Sequence, residues 1–213
     1  MALQRRGEYC ALPSPIPSAS SRPPAALLVA AIILLATALV SCNTPPSART
    51  AKVGVPFIPQ PPDRCGAVAL AMVEQYYGAA PDLDALVAYV HIPALSGTIP
   101  DLLAEAARRN GFDAEIATLD PMQIHALLLA GKPLILLLGP DPATPDDPRG
   151  HFLVATGYRP RTRTLRAHTG YRKNTWLPES DWLPRYWDAG STALLLSPAS
   201  RLPCAPACAT ESP

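Results

Sequence analysis

Beyond residue 60, the first part of the remaining chain has apolar residues spaced as in helices. Between residues 63 and 131 they recur every three or four positions, as expected for helices with an apolar face. Capping residues and glycines mark where such helices begin and end. The pattern predicts helices from Asp63 as N-cap to about Tyr77 with Gly78 beyond it, over 81–90, from Thr98 and Pro100 to Gly111, and from Asp120 and Pro121 to Gly131.

The period then changes to that of strands. Short apolar runs separated by turn residues follow residue 132, and one short run of this kind lies between the last two helices. The predicted strands are 112–117, 133–139, 151–158, 163–168 and 192–197. Because helices come first and strands later, we predict an α+β fold with segregated helices on a mainly antiparallel sheet.

The segment "YRPRTR" predicts a hairpin turn between two of these strands. Pairing Val154 with Ala167 and Thr156 with Leu165 sets apolar residues opposite each other. In that register His151 and His168 project from one face as diagonal neighbours, within reach of each other.

An uncharged apolar run, "AALLVAAIILLATALV", occupies residues 25–40 and precedes the folded part. It ends in "LVSC", which resembles the lipobox of bacterial lipoproteins, and the resemblance implies lipidation of Cys42 as the first mature residue. An uncleaved membrane anchor and a buried core helix are the alternatives. Asn43 after the cysteine resembles the signal that sends such proteins to the outer rather than the inner membrane. We therefore expect a membrane-anchored lipoprotein on the periplasmic side.

These observations divide the chain into four parts. The predicted parts are a signal peptide with lipobox at 1–42, a tether at 43–52, a single domain at 53–198 and a tail at 199–213.

Composition narrows the choice of partners. The formal net charge is +1 and no basic run occurs, so no nucleic-acid partner is predicted. The 27 prolines cluster in stretches that indicate linkers and loops. We predict no cofactor and no metal site.

The five cysteines are expected to have different chemical roles. Cys10 falls in the segment to be removed, and Cys42 is the lipidation candidate. Cys204 and Cys208, in "CAPAC", could form a local disulfide in an oxidising compartment, although an inert tail is the favoured reading. Cys65 is left as a free thiol.

Cys65 lies where a proline-rich loop meets an apolar helix, within "PQPPDRCGAVAL". It is either a small residue that begins a helix or a nucleophile whose thiolate the helix N-terminus favours. A nucleophilic cysteine needs a base, and His151 opens an apolar strand after a proline-rich loop. It also needs oxyanion donors, which the Gln60 amide and the Cys65 N–H could supply. The alternative for His151 is a strand-end residue with no catalytic task.

Together these segments resemble a known family, the papain-like bacterial cysteine peptidases typified by double-glycine (bacteriocin-leader) peptidases. "VPFIPQPPDRCGAVALAMV" is similar to the nucleophile segment of that family, and "GHFLVATGY" is similar to its histidine segment. The resemblance covers about residues 53–198. It implies a papain-like fold and peptide-bond cleavage, with Cys65 as nucleophile, His151 as base and Gln60 as oxyanion donor.

The sequence departs from the family at two positions, of which Ala67 after "CG" is harmless and the second is more serious. The family carries an aspartate at the end of the strand after the histidine, where this chain reads "RAHTG". His168 or Thr169 then occupies the orienting place, and a neutral His168 could accept the His151 N–H.

Three functions follow from these residues. The first is a lipid-anchored cysteine peptidase acting on a peptide or protein, with a possible export-system partner that the sequence does not identify. The second is a catalytically impaired papain-fold module that binds a peptide or partner, which the missing aspartate motivates. The third is acyl transfer by the same thiol. The sequence contains no G-x-x-x-x-G-K-[ST] motif, so we expect no fused ATPase of an ABC transporter.

Overall fold

The computed structural model describes residues 48–61 and 63–199. The predicted signal segment with Cys42, most of the tether, and Cys204 and Cys208 lie outside these residues. Within the described part, no helix is both long and apolar enough to cross a membrane.

The chain folds into helices and strands in the predicted order. The helices are α1 (Cys65–Tyr76), α2 (Leu83–Val90), α3 (Pro100–Arg109), α4 (Pro121–Leu129) and α5 (Glu179–Asp188). The strands are β1 (Ala51–Lys52), β2 (Phe112–Thr118), β3 (Leu134–Leu138), β4 (His151–Arg159), β5 (Thr164–His168), β6 (Thr175–Pro178) and β7 (Thr192–Pro198). A short 3-10 turn, Pro93–Leu95, connects α2 to α3.

The strands form one antiparallel sheet in the order β2-β7-β3-β4-β5-β6, and β1 pairs with β4. Helices α1 and α4 pack against β4, α3 packs against β2, and α5 packs against β3 and β6. The α+β prediction is confirmed. β1 lies within the stretch predicted as a tether, so ordered structure begins no later than Ala51.

Helix α1 is the centre of the core. Every residue from Gly66 to Glu74 is buried, which explains why this helix has almost no polar face. Gly66 allows the close packing, because a Cβ there would overlap Thr98 Cγ2 and lie 3.2 Å from Phe152 Cδ2. The nucleophile candidate at the first position of α1 is therefore held by a rigid element.

The predicted helix ends are mostly confirmed. Asp120 caps α4 in a capping box with Gln123, and Gly78, Gly111 and Gly131 follow their helices with positive φ. Asp63 is not the N-cap of α1, since Arg64 holds that place and the Asp63 carboxylate contacts Arg149 instead.

Two further predictions about this region were incomplete. Ile99 rather than Thr98 is the N-cap of α3. Strand β6 and helix α5 were not predicted, and Pro184 inside α5 interrupts the pattern that would have indicated a helix.

The predicted register of the β4–β5 hairpin is wrong. Val154 pairs with His168 and Tyr158 pairs with Leu165, with a bulge between Ala155 and Gly157. The bulge lies where β1 joins the sheet, and Val53 N–H donates to the Thr156 carbonyl at 2.7 Å. Since adjacent strand residues point to opposite faces, this register places His168 on the face opposite to His151.

Candidate active site

Three of the four predicted catalytic side chains meet in one open cleft. The cleft has a volume of about 1540 Å³, and Gln60, Cys65 and His151 all line it. Exposed apolar side chains stand along it, Leu95 and Ile99 from the segment before α3 and Tyr171 from the segment after β5. His168 does not line the cleft.

Cys65 is the first residue of α1, and its thiol is half-buried and reduced. Burial raises the pKa of the Cys65 thiol. The Phe152, Gly66 and Cys65 main-chain groups and the charge of Arg149 act in the opposite direction and favour the thiolate. Sequence reasoning anticipated the helix terminus but not the larger effect of burial. The contact with Phe152 places the thiol beside the peptide bond that follows His151.

His151 begins β4 and pairs with Leu138 of β3. Burial lowers the pKa of the His151 imidazole, and the positive charge of Arg185 lowers it further. The Thr169 main chain and the charge of Asp141 oppose this shift. At neutral pH the imidazole is therefore uncharged, which is the form that accepts a proton.

Gln60 is almost completely buried, with 3 % of its surface exposed. Its Nε2 donates to the Cys65 carbonyl at 3.4 Å, and its main-chain N–H donates to the Gly170 carbonyl at 3.0 Å. The first bond ties the Gln60 side chain to the start of α1, and the second ties the loop before α1 to the loop after β5. The amide is thus fixed between the nucleophile and Gly170.

Gly170 lies close to both Gln60 and His151. Its φ is +88°, and a Cβ at this position would lie 2.8 Å from Gln60 Oε1 and 3.5 Å from His151 Nε2. Only glycine accepts both the left-handed backbone and this close approach.

His168 has a structural role instead of the predicted orienting one. It is completely buried, its Nε2 donates to the Val55 carbonyl at 3.1 Å, and its Nδ1 accepts from the Asn174 N–H at 3.1 Å. Burial lowers the pKa of its imidazole, with Arg166 and Lys173 adding to the effect. Both nitrogens are therefore engaged on the far side of the sheet from His151.

An ion-paired arginine links the segments that carry Cys65 and His151, and the sequence analysis missed it. Arg149 contacts Asp63 on the loop before Cys65, and its Nε and Nη2 donate to Asp147 at 2.7 and 2.8 Å. This pairing lowers the pKa of Asp147 to about 2. The position of Arg149 two residues before His151 was the available signal.

Arg185 is the second residue that sequence reasoning missed. It extends from α5 into the cleft, where Nε donates to the Gly139 carbonyl at 3.1 Å and Nη1 to Asp141 at 3.0 Å. It fixes the start of the loop that leads to His151. No sequence pattern indicated it, because α5 itself was not predicted.

Residues 59–199 match the model of a protein family described as the peptidase C39 family. No curated protein matches the chain.

Three solved structures share the fold. A double glycine motif protease from an AMS/PCAT transporter, in complex with the leader peptide, is 18% identical with a TM-score of 0.53, over 70% of this chain and 95% of that chain. The peptidase domain of Streptococcus ComA is 22% identical with a TM-score of 0.54, over 68% and 99%. A C39-like peptidase from Bacillus anthracis is 17% identical with a TM-score of 0.58, over 72% and 100%. The chain thus has the fold of these cysteine peptidases.

Proposed function

The chain belongs to the peptidase C39 family, and from this premise we propose that it is an active cysteine peptidase. Cys65 is the nucleophile, His151 the general base and then the general acid, and Gln60 the oxyanion donor. The observation that carries the proposal is the meeting of these three side chains in one cleft, with the thiol beside the His151–Phe152 peptide bond.

Catalysis begins with Cys65 as a thiol and His151 as an uncharged imidazole. The directions of the pKa shifts favour a thiol and an uncharged imidazole in the free protein. As the sulfur attacks the substrate carbonyl, its proton passes to His151, and the N–H groups at the start of α1 stabilise the developing charge on sulfur. Proton transfer and attack then occur together.

The tetrahedral oxyanion needs two donors. The Cys65 main-chain N–H is one, and the second hydrogen of the Gln60 amide is the other, since an amide nitrogen has two and only one points to the Cys65 carbonyl. His151 then returns its proton to the leaving amine, which leaves a thioester on Cys65. A water activated by neutral His151 hydrolyses this thioester and restores the thiol.

The substrate is a peptide lying extended in the cleft. The leader peptide held by the double glycine motif protease supports this class of ligand. Leu95, Ile99 and Tyr171 offer apolar contacts to side chains on either side of the scissile bond.

The test is labelling of the full-length protein by a thiol-reactive, peptide-like probe. We expect labelling of the wild type, none in Cys65→Ala, and strongly reduced labelling in His151→Ala. Thermal unfolding of each variant verifies that the fold is retained. A folded wild type that is not labelled, or a Cys65→Ala protein that is, contradicts the proposal.

One observation favours a second function, peptide binding without cleavage. Within the described residues no carboxylate hydrogen-bonds to His151, and the predicted substitute, His168, faces away from it. A wild type that binds peptides but neither reacts with the probe nor cleaves would establish this binding function.

We also propose that the protein is a lipoprotein, anchored through Cys42 and facing the periplasm, in the outer rather than the inner membrane. The lipobox-like "LVSC" after the apolar run supports this placement. Cys42→Ser should abolish incorporation of labelled fatty acid and processing of the precursor. A mature protein that still carries residues 25–41 would show instead that the run is an uncleaved anchor.

A further inference from the structure

Two buried polar atoms of the active site lack partners. Gln60 Oε1 and His151 Nε2 are both inaccessible to solvent, and neither has a hydrogen-bond partner within the described residues. One is a carbonyl acceptor, and the other carries a proton in one tautomer of the neutral imidazole. Buried polar groups of this kind are normally paired. The two atoms are chemically complementary.

Both atoms border the same small volume. A Cβ on Gly170 would lie 2.8 Å from Gln60 Oε1 and 3.4 and 3.5 Å from His151 Cε1 and Nε2. Position 170, which faces the imidazole, therefore has no side chain that could orient it. The Thr169 main chain raises the pKa of His151, as an accepting carbonyl does, but it forms no hydrogen bond with Nε2.

We propose that Gln60 positions His151, its side-chain carbonyl accepting the Nε2 proton directly or through one water. This inference takes the Cys65–His151 pair of the proposed function as its starting point. It replaces the missing aspartate with a neutral acceptor from the loop before the nucleophile. Catalytic hydrogen bonds that are open in a free enzyme commonly tighten when substrate binds.

The two ends of one amide then perform different tasks. Nε2 lies on the side of Cys65, where it donates to the main-chain carbonyl and to the oxyanion. Oε1 lies on the side of Gly170 and His151. The Gln60–Gly170 main-chain bond of 3.0 Å holds the loop in this orientation. With Nε2–H engaged, Nδ1 is the nitrogen that exchanges a proton with the thiol.

The charged groups around His151 cannot supply this acceptor. Arg185 of α5 is a cation, and Asp141 of the loop after β3 is bound to Arg185 at 3.0 Å. Arg149 precedes β4 and is paired with Asp147 and Asp63. On α1 the titratable residue that lines the same cleft as His151 is Cys65.

Two substitutions separate the tasks of Gln60. Gln60→Glu keeps an acceptor toward His151 but removes the oxyanion donor, whereas Gln60→Met keeps the length of the side chain and removes both. Gln75→Glu, on the exposed side of α1, controls for the added charge. The readouts are ¹⁵N-histidine NMR of the full chain and the rate of Cys65 alkylation by iodoacetamide. His125 and His168, which donate to main-chain carbonyls, are internal references.

We expect Gln60→Glu to raise the pKa of His151 and to accelerate alkylation at pH 6 about tenfold, because an imidazolium is then stabilised beside the thiolate. We expect Gln60→Met to lose the low-field Nε2–H signal of His151 and to slow alkylation. Both variants lose peptide cleavage.

The inference is overturned if the His151 titration and the alkylation rate are the same in the wild type, Gln60→Glu and Gln75→Glu. If Gln60→Met does not fold, the comparison of Gln60→Glu with Gln75→Glu is sufficient to decide whether the inference holds. Because these readouts need no turnover, a wild type that cleaves nothing would refute the proposed function and leave this result standing.

Discussion

His151 and His168 lie on paired strands, yet their imidazoles meet different neighbours. His151 has a buried Nε2 without a partner within the described residues, whereas both nitrogens of His168 are bonded to the main chain. Burial lowers the pKa of both. In the proposed reaction His151 accepts a proton, whereas His168 is a structural side chain. Acidification should therefore lower activity by protonating His151, and it should lower stability by protonating both His151 and His168.

The acid limb of the pH–rate profile should lie below pH 6.5, the ordinary pKa of histidine, because His151 must be neutral to act as a base and its pKa is lowered. His168→Asn should leave the shape of this profile unchanged, since His168 faces away from the cleft. The measurement is kcat/KM, or the probe labelling rate, between about pH 4.5 and 8. An acid limb centred above 6.5, or one that moves in His168→Asn, would contradict the assignment.

His168 should make folding stability depend on pH. The unfolded chain binds a proton near pH 6.5, whereas the folded chain binds it only at lower pH, so stability is lost as pH falls below 6.5. His168→Gln should unfold more easily at pH 7.5, by about 1–3 kcal/mol for lost buried hydrogen bonds. It should also lose less stability on acidification than the wild type does, as measured by urea unfolding at pH 7.5 and 5.5. Equal losses would mean that His168 does not titrate in this way.

Alanine substitutions at Gly170 and Gly78 distinguish the effect of backbone strain from the effect of displacing active-site side chains. Both have φ near +88°, but a Cβ at Gly78 meets nothing within 4 Å, while one at Gly170 meets Gln60 and His151. Each alanine substitution should destabilise the fold by about 1–2 kcal/mol. Only Gly170→Ala should also lower the rate of the proposed cleavage, by about tenfold or more, because it displaces the side chains of Gln60 and His151. Equal rates in the two variants would place Gly170 outside the catalytic arrangement.

At the scale of elements, two segments form the site, the loop leading into α1 and the loop leading into β4. The bonds between Gln60 and Gly170 and between Arg149 and Asp63 connect loops that are far apart in sequence. Helix α1 and strand β4 are themselves rigid, because both are buried in the core. The relative position of Cys65 and His151 thus depends on short links across the cleft.

Arg149→Met should slow alkylation of Cys65 about threefold at low salt, because the positive charge that favours the thiolate is removed. The difference should shrink at high ionic strength, where exposed charges are screened. Thermal stability should change little, since the ion pair is solvent-exposed. Arg161→Met, in the exposed turn between β4 and β5, is the matched control. A rate that does not respond to salt, or an equal change in the control, would rule out this effect.

Several element boundaries were predictable because local chemistry sets them, although Asp63 and Thr98 were wrong as N-caps. The capping box at Asp120 and the glycines after α1, α3 and α4 act on neighbouring residues and are readable from sequence. The bulge in β4 is not, because it depends on β1 pairing from about a hundred residues away. That one-residue shift reversed the face of His168, and with it the predicted orienter of His151.

At the scale of the whole molecule, the fold class and the meeting of Gln60, Cys65 and His151 could be predicted, because helix and strand periods and the segment resemblance are encoded locally. Most parts of the site that could not be predicted depend on long-range contacts. Arg185 extends into the site from α5, a helix that was not predicted because Pro184 interrupts its pattern. Arg149 contacts Asp63 on the loop before Cys65, which is distant in sequence. Burial, which sets the directions of the pKa shifts of Cys65 and His151, also exists only in the folded chain.

The most direct test of the central claim is cleavage of a peptide mixture by the full-length protein, with products identified by mass spectrometry. The proposal predicts defined cleavage products with the wild type, none with Cys65→Ala or His151→Ala, and unchanged products with His168→Asn. Circular dichroism of each variant establishes that loss of cleavage is not loss of fold. Products that persist in Cys65→Ala, or a folded wild type that reacts with thiol probes but cleaves no peptide, would contradict the assignment of this cleft as a peptidase active site.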